Sequence, residues 1–379
     1  MPRYKFSDIA YNITDKKMPE PGEEKTYIGL EHLDSGSLAV TRWGSEVELK
    51  GQKLVMKKGD ILFGRRNTYL KRAAIAPHDG IFSAHGMIFR PKTEHMDPDY
   101  FPFFIASDYF MNAAIRISVG SLSPTVNWKT LKELEFDIPD LEGQKKNAKL
   151  LKAANEAKEA YQELLLKTDE LVKSQFIEMF GDPTTVIKEA TETVSDVADV
   201  RVGLVIKPTR FYSQDGSGTP AFRSLNVGEM KVNDNDWIFF TDKGMEENKK
   251  TIAQAGDVLV VRSGYPGTSC VVTEEFSGRN VVDLIIARPN QDRVLPEYLC
   301  AYTNYPHGKI QIENAQRGVA QKHFNVTMYN KMKIVVPPIE EQKKFVRLLQ
   351  QSDKSKFELQ QAIDSVDDLI RSIVQQDLN

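Results

Sequence analysis

Two short runs carry the residue types that read nucleic acid. One is Arg65-Arg66-Asn67-Thr68-Tyr69, with Lys71 and Arg72 just beyond it, and the other is Arg262-Ser263-Gly264-Tyr265. Arg can bond bidentately to a guanine edge and Asn to an adenine edge, while hydroxyls and further cations hold phosphates. A second pair of polar, glycine-containing runs spans 119–127 and 316–325. The first offers Ser121 and Ser123, and the second offers Arg317, Gln321, Lys322 and His323. Arg223 and Asn226 share this chemistry and join the candidates for DNA contact. Taken singly, each of these residues reads equally well as part of a solvated turn. Their recurrence as a pair of loops favours binding. Asn127 and Asn325, equivalently placed, read instead as turn or cap residues of the fold.

Bond-making chemistry finds no support. A base methyltransferase needs a Gly-rich cofactor turn and an Asn-Pro-Pro-aromatic or Pro-Cys loop, and Val336-Pro337-Pro338 lacks the Asn. There is no Gly-x-x-x-x-Gly-Lys phosphate loop and no His-Glu-x-x-His. His85 and His323 stand alone, and Cys270 and Cys300 lack zinc-ligand spacing, so both read as reduced structural thiols. The expectation is a chain with no catalytic site, no metal and no cofactor of its own. With no apolar stretch near the roughly 20 residues of a membrane span, and no apolar core behind Met1-Pro2-Arg3, it reads as cytoplasmic.

A net charge of −3 argues against a nucleic-acid partner until its distribution is considered. Between Lys57 and Lys92 there are eight basic residues against two acids, and between Tyr305 and Lys333 five against one. Phosphate neutralisation needs a basic face, not a basic protein.

The elements that position these loops come from an internal repeat. Gly59-Asp60-Ile61-Leu62 with Arg65 returns as Gly256-Asp257-Val258-Leu259 with Arg262, at an offset of 197. Pro98-Asp99-Tyr100 returns as Pro296-Glu297-Tyr298, and Gln144-Lys145-Lys146 as Gln342-Lys343-Lys344, at an offset of 198. Ser7-Asp8 pairs with Ser195-Asp196 at 188, so the second copy carries nine or ten extra residues before its Gly-Asp turn. Each copy has a mixed first part and a helical last part. The first parts, 1–140 and 185–338, hold apolar strand-like runs between Gly and Asp turns, plus a helix around 98–115 and 296–314. An α+β globule follows, because strands and helices do not alternate regularly.

Residues 141–180 and 339–379 are dominated by good helix formers. A heptad frame runs through Leu150, Ala154, Ala157, Tyr161, Leu164, Thr168, Leu171 and Gln175. Shifted by 198 it gives Leu348, Ser352, Ser355, Leu359, Ala362, Val366, Leu369 and Ile373. Leu151, Leu165, Val172, Ile363 and Ile370 widen the apolar face. Helices of this length, about 55 to 60 Å at ~1.5 Å per residue, are too long for one small globule and are expected to pack on each other. The first ends at Gly181-Asp182-Pro183.

In this order, twice over, the pattern resembles the specificity subunit of type I restriction-modification systems. The likeness rests on Tyr27-Ile28-Gly29-Leu30-Glu31-His32, Gly59-Asp60-Ile61-Leu62-Phe63, Pro296-Glu297-Tyr298-Leu299 and Val336-Pro337-Pro338-Ile339-Glu340-Glu341-Gln342. The helix end Ser174-Gln175-Phe176-Ile177-Glu178-Met179-Phe180-Gly181-Asp182 adds to it. The resemblance implies two α/β target-recognition domains, 1–140 and 185–338, separated by two long antiparallel coiled-coil helices, 141–180 and 339–379, that act as a ruler. Each domain would read one half of a bipartite, asymmetric site on double-stranded DNA. The helices would dock two modification subunits carrying S-adenosylmethionine, and ATP- and Mg-dependent restriction subunits would complete the complex. The competing reading is a coiled-coil scaffold or adaptor that binds proteins without DNA specificity, and a third is a self-contained nuclease.

Overall fold

The computed structural model describes residues 1–205, 208–316 and 324–376. Its contacts divide the chain into two units, Met1–Leu164 with Glu358–Asn379, and Leu165–Phe357. None of the described helices is long and apolar enough to cross a membrane.

Each unit holds one four-stranded antiparallel sheet, and the two have the same order. In the first unit the strands lie in the order Ala10–Ile13, Met87–Pro91, Ile61–Phe63, Ala73–Ile75; in the second, Ala198–Val202, Leu284–Pro289, Val258–Val261, Ser269–Val271. The inner strands Ile61–Phe63 and Val258–Val261 read as continuous apolar runs because both of their faces are covered. Ile61 and Phe63 join a core with Phe6, Phe89, Tyr100 and Phe110, whereas Leu62 faces a second cluster with Ile28, Leu54 and Phe82. Val258 and Val260 likewise face Tyr298 and Phe176, and Leu259 faces Phe222 and Val281.

The repeated Gly-Asp turns have a physical reason. Gly59 and Gly256 take positive φ (89° and 86°), which costs glycine nothing. The buried carboxylates behind them then accept backbone N–H groups, Asp60 from Lys57 (2.7 Å) and Asp257 from Gln254 (2.9 Å). Each also takes a two-point bond from an Arg on the neighbouring strand, Arg90 at 2.5 and 2.9 Å and Arg288 at 2.7 and 2.8 Å. These pairs consume Arg90, one of the eight cations counted between Lys57 and Lys92.

Where one helix is expected after each Pro-acid-Tyr element, the structure has two. They are Phe101–Ala106 and Asp108–Arg116 in the first copy, and Pro296–Asn304 and Pro306–Gln316 in the second. The break at Ser107 is a cap: extended backbone, with its hydroxyl accepting from Phe110 N. The break at Tyr305 comes from Pro306, which excludes the preceding residue from the helical region. Tyr100 and Tyr298 are packing residues, both fully buried.

The long helices span Leu141–Phe180 and Ile339–Gln376. In the first unit Ala148 and Leu151 share a core with Ile370, Ile373 and Val374; in the second, Val172, Phe176 and Phe180 share one with Phe345 and Leu349. With the ion pairs Lys158–Asp367 and Asp169–Lys356 between the two helices, numbers rise along one helix as they fall along the other, so the pairing is antiparallel. The seam, however, differs from the heptad frame. Leu150, Leu164, Leu171 and Leu369 are exposed, and Ala157, Tyr161, Leu348, Leu359, Ala362, Val366 and Ile373 are only half-buried. The buried positions are Gln144, Ala148, Leu151, Lys158, Val172, Phe176 and Phe180 on one helix, and Gln342, Phe345, Val346, Leu349, Ser352, Ile363 and Val374 on the other. For most positions this is a shift by one residue, about 100° around the axis. The frame departs from the seam because the seam includes polar residues, which a hydropathy pattern discounts.

Those polar residues are repeated. Gln144 accepts from Asp97 N and donates to the carbonyls of His95 and Pro139; Gln342 accepts from Leu295 N and donates to those of Arg293 and Pro337. Every partner is displaced by 198. Lys158 Nζ bonds Asp367 (2.6 Å) in the first unit, and Lys356 Nζ bonds Asp169 (3.1 Å) in the second, again displaced by 198 on both sides. Burial disfavours the Lys356 ammonium, but Asp353 and Asp169 outweigh it and raise its pKa.

Candidate nucleic-acid interface

The first candidate loop, 64–72, links the strands Ile61–Phe63 and Ala73–Ile75. It is held by Thr68 Oγ1 donating to Arg65 O (2.9 Å), Ser35 Oγ to Leu70 O (2.6 Å) and Arg72 Nη1 to Leu30 O (3.1 Å). Asn67 and Lys71 take left-handed backbone (φ 54° and 48°), a conformation costly for side-chain-bearing residues and concentrated at functional sites. Arg65 Nε and Asn67 Oδ1 are buried polar atoms without a hydrogen-bond partner. Arg66 and Tyr69 are exposed. Lys71 is drawn onto Asp108 (2.5 Å), so part of its charge is neutralised.

The loop 119–127 lies directly against it. Val126 N donates to Arg65 O (2.9 Å), Asn67 N to Pro124 O (2.8 Å) and Arg66 Nη2 to Ser123 Oγ (3.3 Å). Arg65, Arg66, Asn67, Tyr69, Ser121 and Ser123 therefore belong to one surface, with Ser121 exposed at its tip.

The second copy differs. Its link, 262–268, joins Val258–Val261 to Ser269–Val271 and exposes Ser263 and Tyr265, the latter 84% exposed. Arg262, expected to project, is instead 8% exposed with Nη1 on Asp283 Oδ1 at 2.5 Å. Its backbone carbonyl still accepts from Phe324 N (2.9 Å), as that of Arg65 does from Val126. Arg317, Gln321, Lys322 and His323 lie outside the described residues. Asn226 is a second correction: it is fully buried, its Oδ1 accepting from Arg223 N and its Nδ2 donating to Asn235 O (2.7 Å). It folds the local loop rather than facing a ligand. Arg223 is half-buried and bonds Asp236 O (2.6 Å). Asn325 caps the short helix Val326–Asn330, accepting from Met328 N (3.0 Å), and Asn127 takes the matching cap position before Trp128–Leu131.

The buried thiols carry no reactive signature. Burial, with Cys300 nearby, pushes the Cys270 thiol well up, and burial pushes Cys300 up to about 12. His307 is buried, its Nε2 against Gly181 O (2.9 Å), and burial lowers its pKa. Among the described residues no group of three His, Cys, Asp or Glu side chains is placed to hold a metal ion.

Comparison with known proteins bears on these loops through the fold. The putative type I restriction enzyme MjaX specificity subunit of Methanocaldococcus jannaschii is 22% identical over 354 residues, covering 86% of this chain and 79% of that protein. A chain from a solved structure concerned with assembly and conformational transition of a type I restriction-modification system covers 100% of this chain and 97% of its own length. It is 18% identical, with a TM-score of 0.60. The type I restriction-modification S subunit from M. genitalium is 14% identical over 98% of this chain and 95% of its own, with a TM-score of 0.53. The model of the type I restriction modification DNA specificity domain matches twice, at residues 8–165 and 193–366, once for each copy of the repeat. The chain belongs to the type I restriction-modification DNA specificity family.

Proposed function

We propose that this chain gives a type I restriction-modification system its DNA sequence specificity, as a subunit that recognises DNA and performs no catalysis. The observation that carries the reading is the doubled family match, each half holding a four-stranded sheet with a loop bearing Arg, Ser or Tyr between an inner strand and an edge strand. Residues 1–140 and 185–338 are the two target readers, and 141–180 and 339–379 are the helices that link them.

In the first reader the exposed Arg66 and Tyr69, with Arg65, Arg72 and Lys71 behind them, supply cations and hydrogen-bond donors to phosphates and base edges. In the second, Ser263 and Tyr265 do so, joined by Arg317, Gln321, Lys322 and His323. Because the two sets differ, the half-sites differ and the complete site is asymmetric. The partners are double-stranded DNA, two modification subunits, which carry S-adenosylmethionine, and restriction subunits, which use ATP and Mg. The exposed leucines of the long helices, Leu150, Leu164, Leu171 and Leu369, suit docking of such subunits better than packing between the helices. The place of action is the cytoplasm, where the DNA is.

Methylation mapping of the host genome with and without this gene tests the reading. A bipartite methylated motif should vanish on deletion and return on complementation. An unchanged methylation pattern contradicts it.

A further inference from the structure

Leu122 is 97% exposed, the most exposed large apolar side chain among the described residues, and Val119 beside it is 71% exposed. A lone exposed leucine is ordinary. This one is held out by structure. Val119 and Thr125 exchange backbone hydrogen bonds (3.1 and 3.0 Å) that close the loop beneath the tip. Gly120 turns the chain at φ 118°, and Thr125 Oγ1 braces it by donating to Ser123 O (2.9 Å). The loop is fastened to the Arg65–Asn67 backbone through Val126 and Pro124, and to the Arg66 side chain through Ser123. Residues 116–129 include Arg116 and Lys129 and no acid, and residues 64–72 include four cations and no acid.

The surface thus combines a fixed apolar tip, flanking hydroxyls and the positive charge of Arg65 and Arg66, with Lys71 partly neutralised by Asp108. Charge complementarity selects a polyanion as its occupant. On duplex DNA the base edges present one apolar group in the major groove, the 5-methyl of thymine. We propose that Leu122 is a specificity-determining residue that packs on the 5-methyl group of a thymine in the half-site read by the first copy, while Arg66 engages the adjoining phosphate. This rests on the DNA-reading role proposed for the chain. The second copy has Ala320 at the position matching Leu122 and a basic run around it, Arg317, Lys322 and His323, so the leucine belongs to the first copy only.

The test uses the full chain in its assembled complex and duplexes carrying the methylated site mapped in the host, with each thymine replaced in turn by deoxyuracil. At one thymine, loss of the methyl should weaken the parent protein about fourfold, the ~0.8 kcal/mol of one buried methyl. Leu122→Ala should bind that duplex and the unmodified one equally, and Leu122→Met should retain the discrimination. The salt slope of binding should be unchanged in Leu122→Ala but shallower in Arg66→Ala. If no deoxyuracil position separates parent from Leu122→Ala, or the mapped site has no thymine, the methyl contact is wrong. It is equally wrong if 2-aminopurine probes report Leu122-dependent unstacking, which would make the residue a wedge. A weakened Arg66→Ala beside an unaffected Leu122→Ala overturns only this contact. Normal binding by both removes the DNA interface itself, and retention of a protein partner through Leu122 reassigns the tip to protein docking.

Discussion

The loop joining an inner strand of the first sheet to its edge strand Ala73–Ile75 is nine residues long and holds four cations; its counterpart in the second is seven residues long and holds one, turned inward onto Asp283. Beneath these loops the bonds are the same. Asp60 with Arg90 matches Asp257 with Arg288, and Gln144 with its three backbone partners matches Gln342 with its three. Lys158 with Asp367 matches Lys356 with Asp169. The repeat keeps these inner polar contacts and varies the exposed loops. That is the expected form of a molecule in which one scaffold presents two different readers, since an orphaned buried polar group is costly while an exposed loop changes cheaply.

The largest effect that could break this equivalence comes from the glutamines. Replacing Gln144 by Ala strands one N–H and two carbonyls in a buried place, and Gln342→Ala does the same in the other unit. Each should cost about 3 kcal/mol or more, read as loss of unfolding free energy in denaturant and as faster hydrogen exchange in its own unit. Closely similar losses sharpen the equivalence; a loss in one copy alone breaks it.

The lysine clasps should differ in a predictable direction. Lys158 is buried and also donates to Gly36 O (2.9 Å), whereas Lys356 is more open. Lys158→Met should therefore cost about 2 kcal/mol and Lys356→Met less than about 1 kcal/mol, measured in the same denaturant titrations. The reverse order would mean that burial does not govern the pair.

The smallest effect is confined to one copy. His307 has Tyr109 at the matching position of the first copy, and its folded pKa lies below the ordinary 6.5 because the imidazole is buried. The unfolded chain then binds the proton first, so this contribution to stability is complete above about pH 6.5 and declines as pH falls toward the lowered folded value. Hydrogen exchange at about pH 7.5 and about pH 5.5, above and below the ordinary histidine value, should show the second unit loosening on acidification, and His307→Gln should remove that part of the response. Equal loosening of both units in the parent and the variant would exclude His307 as the cause.

Much of this is legible in the sequence. The repeat, both long helices and the placing of the loops after the Gly-Asp strands follow from spacing and helix formers, and the resemblance to specificity subunits follows from their order. A heptad frame misplaces the seam by one residue because Lys158, Lys356, Gln144 and Gln342 are polar and hydropathy passes over them. Their shared 198-residue displacement is the signal that could find them. Arg262 and Asn226 have the side chains of DNA readers, but Asp283 and the backbone around 233–235 claim them, and such partners, fixed by tertiary structure, leave no local trace. Leu122 gives no signal either, because an apolar residue in a polar loop carries no charge to draw notice.

The division of labour between the copies is tested most directly by mapping methylation in hosts carrying either Arg66→Ala or Tyr265→Ala in place of the parent chain. Each variant should relax or lose sequence preference in one half of the bipartite motif, and the two halves should be different. Relaxation of the same half by both variants, or an intact motif with both, would contradict two readers on one scaffold.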